Sequence, residues 1–493
     1  MKNLTFLIKI CLIGIILSVR FQIQAQTARE YYNAFRNRAR QDYDDFRLKA
    51  NLDYIEYLRR TWVEFQKMPA LPVPTFEPPI PPIVIQDEAL NKPIHNEQIP
   101  IDGTVFLDSD SSIRPSPISP IPNVPYIQEI RFEFVFMGTK EIVRIGDVHR
   151  IHLTKCDENS VANAWASMCH ERFNNVIFDC LMIKQKRNLC DWAYYIMLSC
   201  LGDSFYGKNT NESVLLTAFI YSQSGYSMRL ANTRGRLEML FASKHKIYSL
   251  PFFEIDTVRY YSTNTNDMES YIMPFGFPGE QPMSLIIEQA PQLTELETPQ
   301  RCLQSMNYSN IRVNITTNIN LIDFYSTYPT SQVDENFMTR WAIYAETPLS
   351  SGTQEKLYPT LKRMTQDYSQ VEAANRLLNW VQTAFTYDYD DKVWGEDRVF
   401  FAEETLFYPY CDCEDRSILF SRLVRDILGL KVVLVYYPGH LATAVAFSEP
   451  VQGDFLMLDN VKYTLADPTY INAPVGLTMP DLVNKPAIAI LLK

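Results

Sequence analysis

Three residues of this chain have the chemistry of a nucleophile, a base and an orienting group: Cys413, His440 and Asp467. Cys413 lies in Tyr410-Cys411-Asp412-Cys413-Glu414-Asp415-Arg416-Ser417. That stretch runs into an apolar helical pattern, Ile418, Leu419, Phe420, Leu423, Val424, Ile427 and Leu428, and stops at Gly429. A thiol reacts as its thiolate, and the free N–H groups and positive dipole end of a helix start favour that form. Glu414 and Asp415 oppose it, which calls for a nearby imidazolium, and His440 is the candidate. His440 follows Pro438-Gly439, a sharp turn, and leads into a strand pattern over 441–447. Asp467 ends the return strand of a hairpin, Phe455–Leu458 and Lys462–Ala466 with Asp459-Asn460 in its turn. There it can hold an imidazole in one tautomer.

Other assignments stay open on sequence alone. Cys411 could be the nucleophile, a disulfide partner or a metal ligand. Cys411, Cys413 and His440 could bind zinc, although one Cys-x-Cys pair with one histidine is a weak metal pattern. His440 could be a satisfied core histidine, and Asp459 could replace Asp467.

The elements around these residues read as follows. Residues 1–25 have the basic start, apolar run and small residue at Ala25 of a signal peptide, so the chain is expected to be exported, to a periplasm or cell surface. Residues 27–67 read as one long amphipathic helix, its aromatic stripe packing on the chain's own domains or on a partner protein. Residues 68–125 are proline-rich and read as a linker. Residues 126–300 read as an α+β domain, 301–352 as a β connector with strands at 311–315, 321–325 and 341–344, and 353–493 as the domain that carries the three site residues. Within that last domain residues 354–385 are helical by pattern. The acidic Tyr387-Asp388-Tyr389-Asp390-Asp391 lacks the glycine and terminal glutamate of an EF-hand and reads as a solvated turn.

Totals bound the function. The 493 residues suffice for two or three domains, and 46% hydrophobic content can fill a sizeable core. A net charge of -11 with no basic stretch argues against a nucleic-acid partner. Nine cysteines spread through so long a chain do not frame a small disulfide scaffold. Cys169, Cys180, Cys190 and Cys200 could include a disulfide, with buried free thiols the favoured reading. His245 reads as a surface histidine.

Two segments resemble each other. From Asn209 to Gly225 and from Cys413 to Gly429 the interval is the same, and each helical pattern ends at its glycine and continues into a strand. In this register Asn209 stands where Cys413 does, so the first copy lacks the thiol. A diverged repeat and chance likeness of two amphipathic helices both fit.

The order Cys413, His440, Asp467, with Cys413-Glu414-Asp415-Arg416-Ser417, Gly429 and Asp467-Pro468-Thr469, resembles the transglutaminase-like superfamily, which is related to papain-like cysteine peptidases. The Asp412-Cys413-Glu414-Asp415 form is similar to its bacterial branch. The resemblance covers roughly 370–470. It implies an α+β core with a helix packed on an antiparallel sheet, preceded by a diverged non-catalytic copy. It also implies Cys413 as nucleophile, His440 as general base and acid, and Asp467 as orienter. The expected function is thiol-dependent acyl transfer on peptide or amide bonds, hydrolysis favoured over amine transfer, with no cofactor or metal and a peptide or protein as substrate. A non-catalytic binding or scaffold protein is the alternative.

Overall fold

The computed structural model describes residues 31–35, 37–38, 41–74, 78–85, 96–107, 114–117, 130–264, 269–333 and 335–493. The leader expected over 1–25 lies outside them. Helix α1 (41–58) is followed by strands β1 (Val63–Phe65) and β2 (Ile101–Phe106). The hairpin β3 (Phe132–Phe136) and β4 (Thr139–Val143) leads to helices α2 (Glu158–Met168), α3 (Arg172–Lys186), α4 (Asp191–Tyr206) and α5 (Asn211–Gln223). Then come β5 (Met228–Thr233), β6 (Arg236–Ala242), β7 (Lys246–Ile247), β8 (Phe252–Ile255), β9 (Val258–Tyr261) and β10 (Ser270–Ile272). The middle of the chain holds β11 (Arg301–Gln304), β12 (Arg312–Ile315), α6 (Ile319–Ser326), β13 (Ser331–Gln332), α7 (Thr339–Glu346), α8 (Ser351–Thr365) and α9 (Gln370–Ala384). Next are β14 (Thr386–Tyr387), α10 (Asp390–Val393), α11 (Ala402–Phe407), β15 (Tyr410–Cys411) and α12 (Cys413–Leu423). The last strands are β16 (Lys431–Tyr437), β17 (His440–Ala446), β18 (Phe455–Leu458), β19 (Val461–Ala466) and β20 (Ala487–Leu491).

The protein is α+β, with two six-stranded, largely antiparallel sheets. Their strand orders are β8-β9-β6-β5-β10-β1 and β18-β19-β17-β16-β20-β2. The two orders correspond strand for strand, and in each the outermost strand comes from far upstream in the chain. They differ at that strand: β1 runs antiparallel to β10, whereas β2 runs parallel to β20. The two sheets therefore share the order of their strands and differ in the direction of the outermost one.

In each unit a buried helix packs on the sheet just ahead of its central strands. Leu215, Leu216, Phe219 and Ile220 line α5, and Ile418, Leu419, Phe420 and Leu423 line α12, all buried. Thr210 caps α5 by accepting from Ser213 N–H. Asp412 caps α12 by accepting from Glu414 and Asp415 N–H, and Asp415 returns a bond to the Asp412 N–H. After α12 a π turn, Val424–Leu428, carries the helix to Gly429, which ends it in the left-handed conformation at φ 67°.

Several expectations are corrected. The long helix ends near residue 58, and Val63–Phe65 is a sheet strand. Its Tyr54 stacks on Phe277 and packs against Trp165, so its aromatic stripe is partly spent on the first unit's core. The proline-rich stretch is no free linker: Met68 and Leu71 bond the first unit, residues 80–85 and 97–106 lie on the second, and Ile101–Phe106 is a strand of that sheet. Of the three strands expected in the β connector only the one at Arg312–Ile315 forms, and the strands Arg301–Gln304 and Ser331–Gln332 form beside it. Leu321–Tyr325 and Trp341–Tyr344 are helical, because Leu321, Ile322, Phe324 and Tyr325 fall at helical spacing behind the Asn318 cap. The helical run at 354–385 is two helices, with Ser369 capping the second.

Candidate active site

The hairpin joining β16 to β17 has a two-residue turn, Pro438-Gly439, with Gly439 at φ 78°. It pairs Tyr437 with His440 and puts His440 at the start of a rigid strand. The Asp459-Asn460 turn, at φ 46° and 63°, returns β19 so that Asp467 emerges beside that end of β17. His440 Nε2 and Asp467 Oδ2 are 2.9 Å apart. Asp467 Oδ1 accepts from the N–H groups of Thr469 and Tyr470, which fixes the carboxylate. With Nε2–H donated to Asp467, Nδ1 is the basic nitrogen, and it is buried with no hydrogen-bond partner among the described residues.

Cys413 is the first residue of α12. The N–H of Leu441, the residue after His440, favours the Cys413 thiolate. Ser417, one turn on, donates to the Leu441 carbonyl at 2.8 Å. The helix start thus occupies the edge of β17 just where β19 has diverged. His440 and Asp467 meet at this corner, and Cys413 opens the helix packed beside it, with exposures of 5% for Cys413, 2% for His440 and 1% for Asp467. No hydrogen bond joins the sulfur to Nδ1. Burial, then the charges of Asp412 and Glu414, push the Cys413 thiol well above its ordinary value, and the Leu441 N–H acts against them.

The alternatives separate cleanly. Cys411 sits in β15, buried, with its sulfur 3.8 Å from the Thr386 carbonyl, and burial raises its thiol. It is not with His440. Asp459 lies in the exposed turn at the other end of β19 from Asp467. The eight cysteines of the described residues are free thiols, Cys169, Cys180, Cys190 and Cys200 among them.

Four residues that sequence reasoning missed hold the corner together. Gln382 of α9 donates to the carbonyls of Asp467, Tyr470 and Ala473 at 2.8 to 3.0 Å and so fixes the Asp467 loop. The buried Arg416 guanidinium donates to the Gln382 and Phe385 carbonyls, tying α12 to α9. Ser417 anchors Leu441. Tyr387 pairs with Cys411 across β14 and β15, and its hydroxyl is buried with no partner among the described residues. Burial and then the Cys413 charge raise that phenol. Gln382 falls within the helical pattern at 354–385, but three bonds to carbonyls far along the chain leave no local signal.

The acidic stretch after Tyr387 is not a solvated turn. Asp390 packs against Asp412 and Glu414, with one carboxylate oxygen of each lying within 4.8 Å of the others. Glu414 Oε2 accepts from Trp341 Nε1 and faces Arg340, while Glu414 Oε1 is buried and unpartnered among the described residues. Burial and then Glu414 push Asp390 up to about 8. Three oxygens of this kind suit a hard divalent cation rather than zinc. His245 is likewise buried, not on the surface: its Nε2 accepts from Leu285 N–H at 3.1 Å.

The first unit shows the same corner without the chemistry. The pair Thr233 and Arg236 flanks Arg234-Gly235 as Tyr437 and His440 flank Pro438-Gly439. Arg236 therefore stands where His440 does. Asn211 opens α5 and its Oδ1 accepts at 2.9 Å from the N–H of Leu237, the residue after Arg236 as Leu441 is the residue after His440. Asn211, not Asn209, is the counterpart of Cys413. Counting back from the glycines overshoots by two residues, because α12 is prolonged by its π turn. Phe241 pairs with Tyr261 and Val445 with Thr464, and three residues beyond each partner lie Asn264 and Asp467. No protein-family model matches this chain, and no curated protein does.

Proposed function

We propose that this protein is a thiol acyl-transfer enzyme of transglutaminase-like type, acting on peptide or amide carbonyls from the second unit. The observation that carries the reading is the buried His440–Asp467 pair, whose free Nδ1 belongs to the residue just before the N–H that favours the Cys413 thiolate. In the reaction the Cys413 proton passes to His440 Nδ1, and the sulfur attacks the carbonyl carbon. The leaving amine takes the proton from His440 and departs, leaving a thioester. Water, deprotonated by His440, then cleaves the thioester and restores the thiol. An amine in place of water would give transfer, and hydrolysis is the favoured outcome. Asp467 keeps Nε2 protonated and steadies the imidazolium. The Cys413 N–H, which Asp412 does not cap, and the Tyr387 hydroxyl are the groups suited to the developing oxyanion. The leader pattern at 1–25 extends the proposal to an exported enzyme, with peptides or cell-wall amides in reach.

A scaffold that keeps the fold and not the chemistry is the second reading, and the burial of all three residues favours it. Alkylation by iodoacetamide, mapped by peptide mass spectrometry, separates the two. A working site labels Cys413 ahead of the other thiols and loses that lead in His440→Ala. Uniform slow labelling of all thiols would sink the enzyme reading.

A further inference from the structure

Residues 78–85 read Pro-Pro-Ile-Pro-Pro-Ile-Val-Ile, and they lie extended on the second unit. Ile80 N–H donates to the Gly439 carbonyl at 2.8 Å, on the residue before His440. Farther on, Ile471 N–H donates to the Ile83 carbonyl at 2.9 Å, and Ile85 N–H to the Ile471 carbonyl at 3.0 Å, a parallel bridge centred on Val84. Ile471 closes the loop that begins at Asp467. The segment is thus pinned to the two turns that hold the imidazole and the carboxylate. Its isoleucines pack on an apolar surface that includes Tyr437, Leu465 and Tyr470. Alternation along β17 and β19 sets His440 and Asp467 on that same face, with Ala442 and Leu465.

The proline pattern fits this contact. The four prolines fall at 78, 79, 81 and 82, whereas the two N–H groups that bond the enzyme belong to Ile80 and Ile85. Proline removes donors only where none is used and fixes the extended backbone beforehand, which lowers the entropy lost on docking. Backbone bonds with apolar side chains in shallow pockets are the way an extended peptide is read along a strand edge.

We propose that the groove between the Pro438-Gly439 turn and the Asp467–Ile471 loop is a peptide-binding subsite for extended, aliphatic, proline-containing segments, and that residues 78–85 occupy it at rest. The proposal rests on the catalytic reading only in calling the site a substrate subsite. The bound strap adds its backbone and three isoleucines to the covered face of the His440–Asp467 pair. Substrate must displace it, and the strap competes from an effective concentration of roughly millimolar.

The test uses the full chain, a fluorescein-labelled peptide of the sequence of residues 78–85, and two variants. Ile83→Asp/Ile85→Asp puts charge into the apolar groove, and Ile80→Pro deletes one donor together with one packed isoleucine side chain. Circular dichroism checks that each folds. The strap-weakened variants are expected to bind the peptide roughly tenfold or more tighter than the wild type. Their Cys413 is expected to alkylate roughly tenfold or more faster, and the added peptide to slow it again. A peptide that binds neither variant, or an unchanged alkylation rate in a folded Ile80→Pro protein, overturns the proposal. Repeating both measurements in His440→Ala tells the failures apart: a groove without catalysis keeps peptide binding and the strap effect, whereas catalysis without this groove loses both and still hydrolyses peptides in the wild type.

Discussion

The two units share a strand order, a buried helix and a two-residue hairpin turn, yet one corner reads Cys413, His440, Asp467 and the other Asn211, Arg236, Asn264. In the first unit the helix start accepts a backbone N–H with an amide oxygen, and in the second the corresponding N–H favours the Cys413 thiolate. The scaffold therefore does not depend on the triad. What differs is the charge around the helix start: Thr210-Asn211-Glu212 in the first unit, Asp412-Cys413-Glu414 with Asp390 beside it in the second. Three carboxylates at a buried corner cost stability that the first unit avoids. A structure that only needed the fold would be better served by the first unit's residues.

The largest expected effect breaks the comparison at its centre. Cys413→Ala should abolish any trapped thioester with an activated ester substrate, as read by intact mass. His440→Ala should slow acylation by about 10²- to 10⁴-fold. The matching changes Asn211→Ala and Arg236→Ala should leave the acylation rate as it was. A comparable fall in the first-unit variants would show that the two corners act together.

Next in size is the packing beneath each corner. Leu215→Ala and Leu419→Ala remove fully buried side chains from corresponding helices, and each is expected to cost about 2–5 kcal/mol in urea unfolding. Similar costs fit one scaffold used twice. A first-unit cost near zero would mean that α5 is not held as α12 is.

The acidic corner gives a smaller and more specific difference. Millimolar calcium is expected to raise the melting temperature near pH 8, by an amount worth about 2.7 kcal/mol if it reaches a hundredfold over its dissociation constant. Chelator should reverse the rise, and Glu414→Gln should remove it. The first unit, which has no such trio among the described residues, should contribute nothing, so a rise that survives Glu414→Gln would place the cation elsewhere.

Much of the site was legible because its signals are local. The apolar run after Cys413, the stop at Gly429, and the Pro438-Gly439 and Asp459-Asn460 turns each lie within a few residues of what they determine. The parts that were misread depend on distant partners. Leu321–Tyr325 and Trp341–Tyr344 carry β-favouring residues, and tertiary burial makes them helices. Ile101–Phe106 becomes a strand only because β20, near the other end of the chain, offers an edge. Asp390 looks like a turn residue until the fold brings Asp412 and Glu414 to it. Gln382 is one glutamine among many until the Asp467 loop returns across it.

The mildest prediction concerns His245, a buried histidine of the first unit. Burial holds His245 neutral, with its pKa lowered to about 3 from an ordinary 6.5. Its Nε2 accepts from Leu285 N–H, and Nδ1 lies 3.4 Å from Ser331 Oγ, across the small β7–β13 pairing. Below pH 6.5 the unfolded chain binds a proton there that the native state refuses until about pH 3. Stability from this group is therefore complete above 6.5 and is lost as the pH falls, with a limiting slope of about 1.4 kcal/mol per pH unit. Between pH 6.5 and about 5.5 the loss amounts to about 1 kcal/mol. His245→Gln, which cannot take up that proton, should flatten this part of the stability profile in urea titrations at the two pH values. An unchanged slope would mean that another group carries the acid sensitivity, and that the first unit's histidine is spent on packing alone.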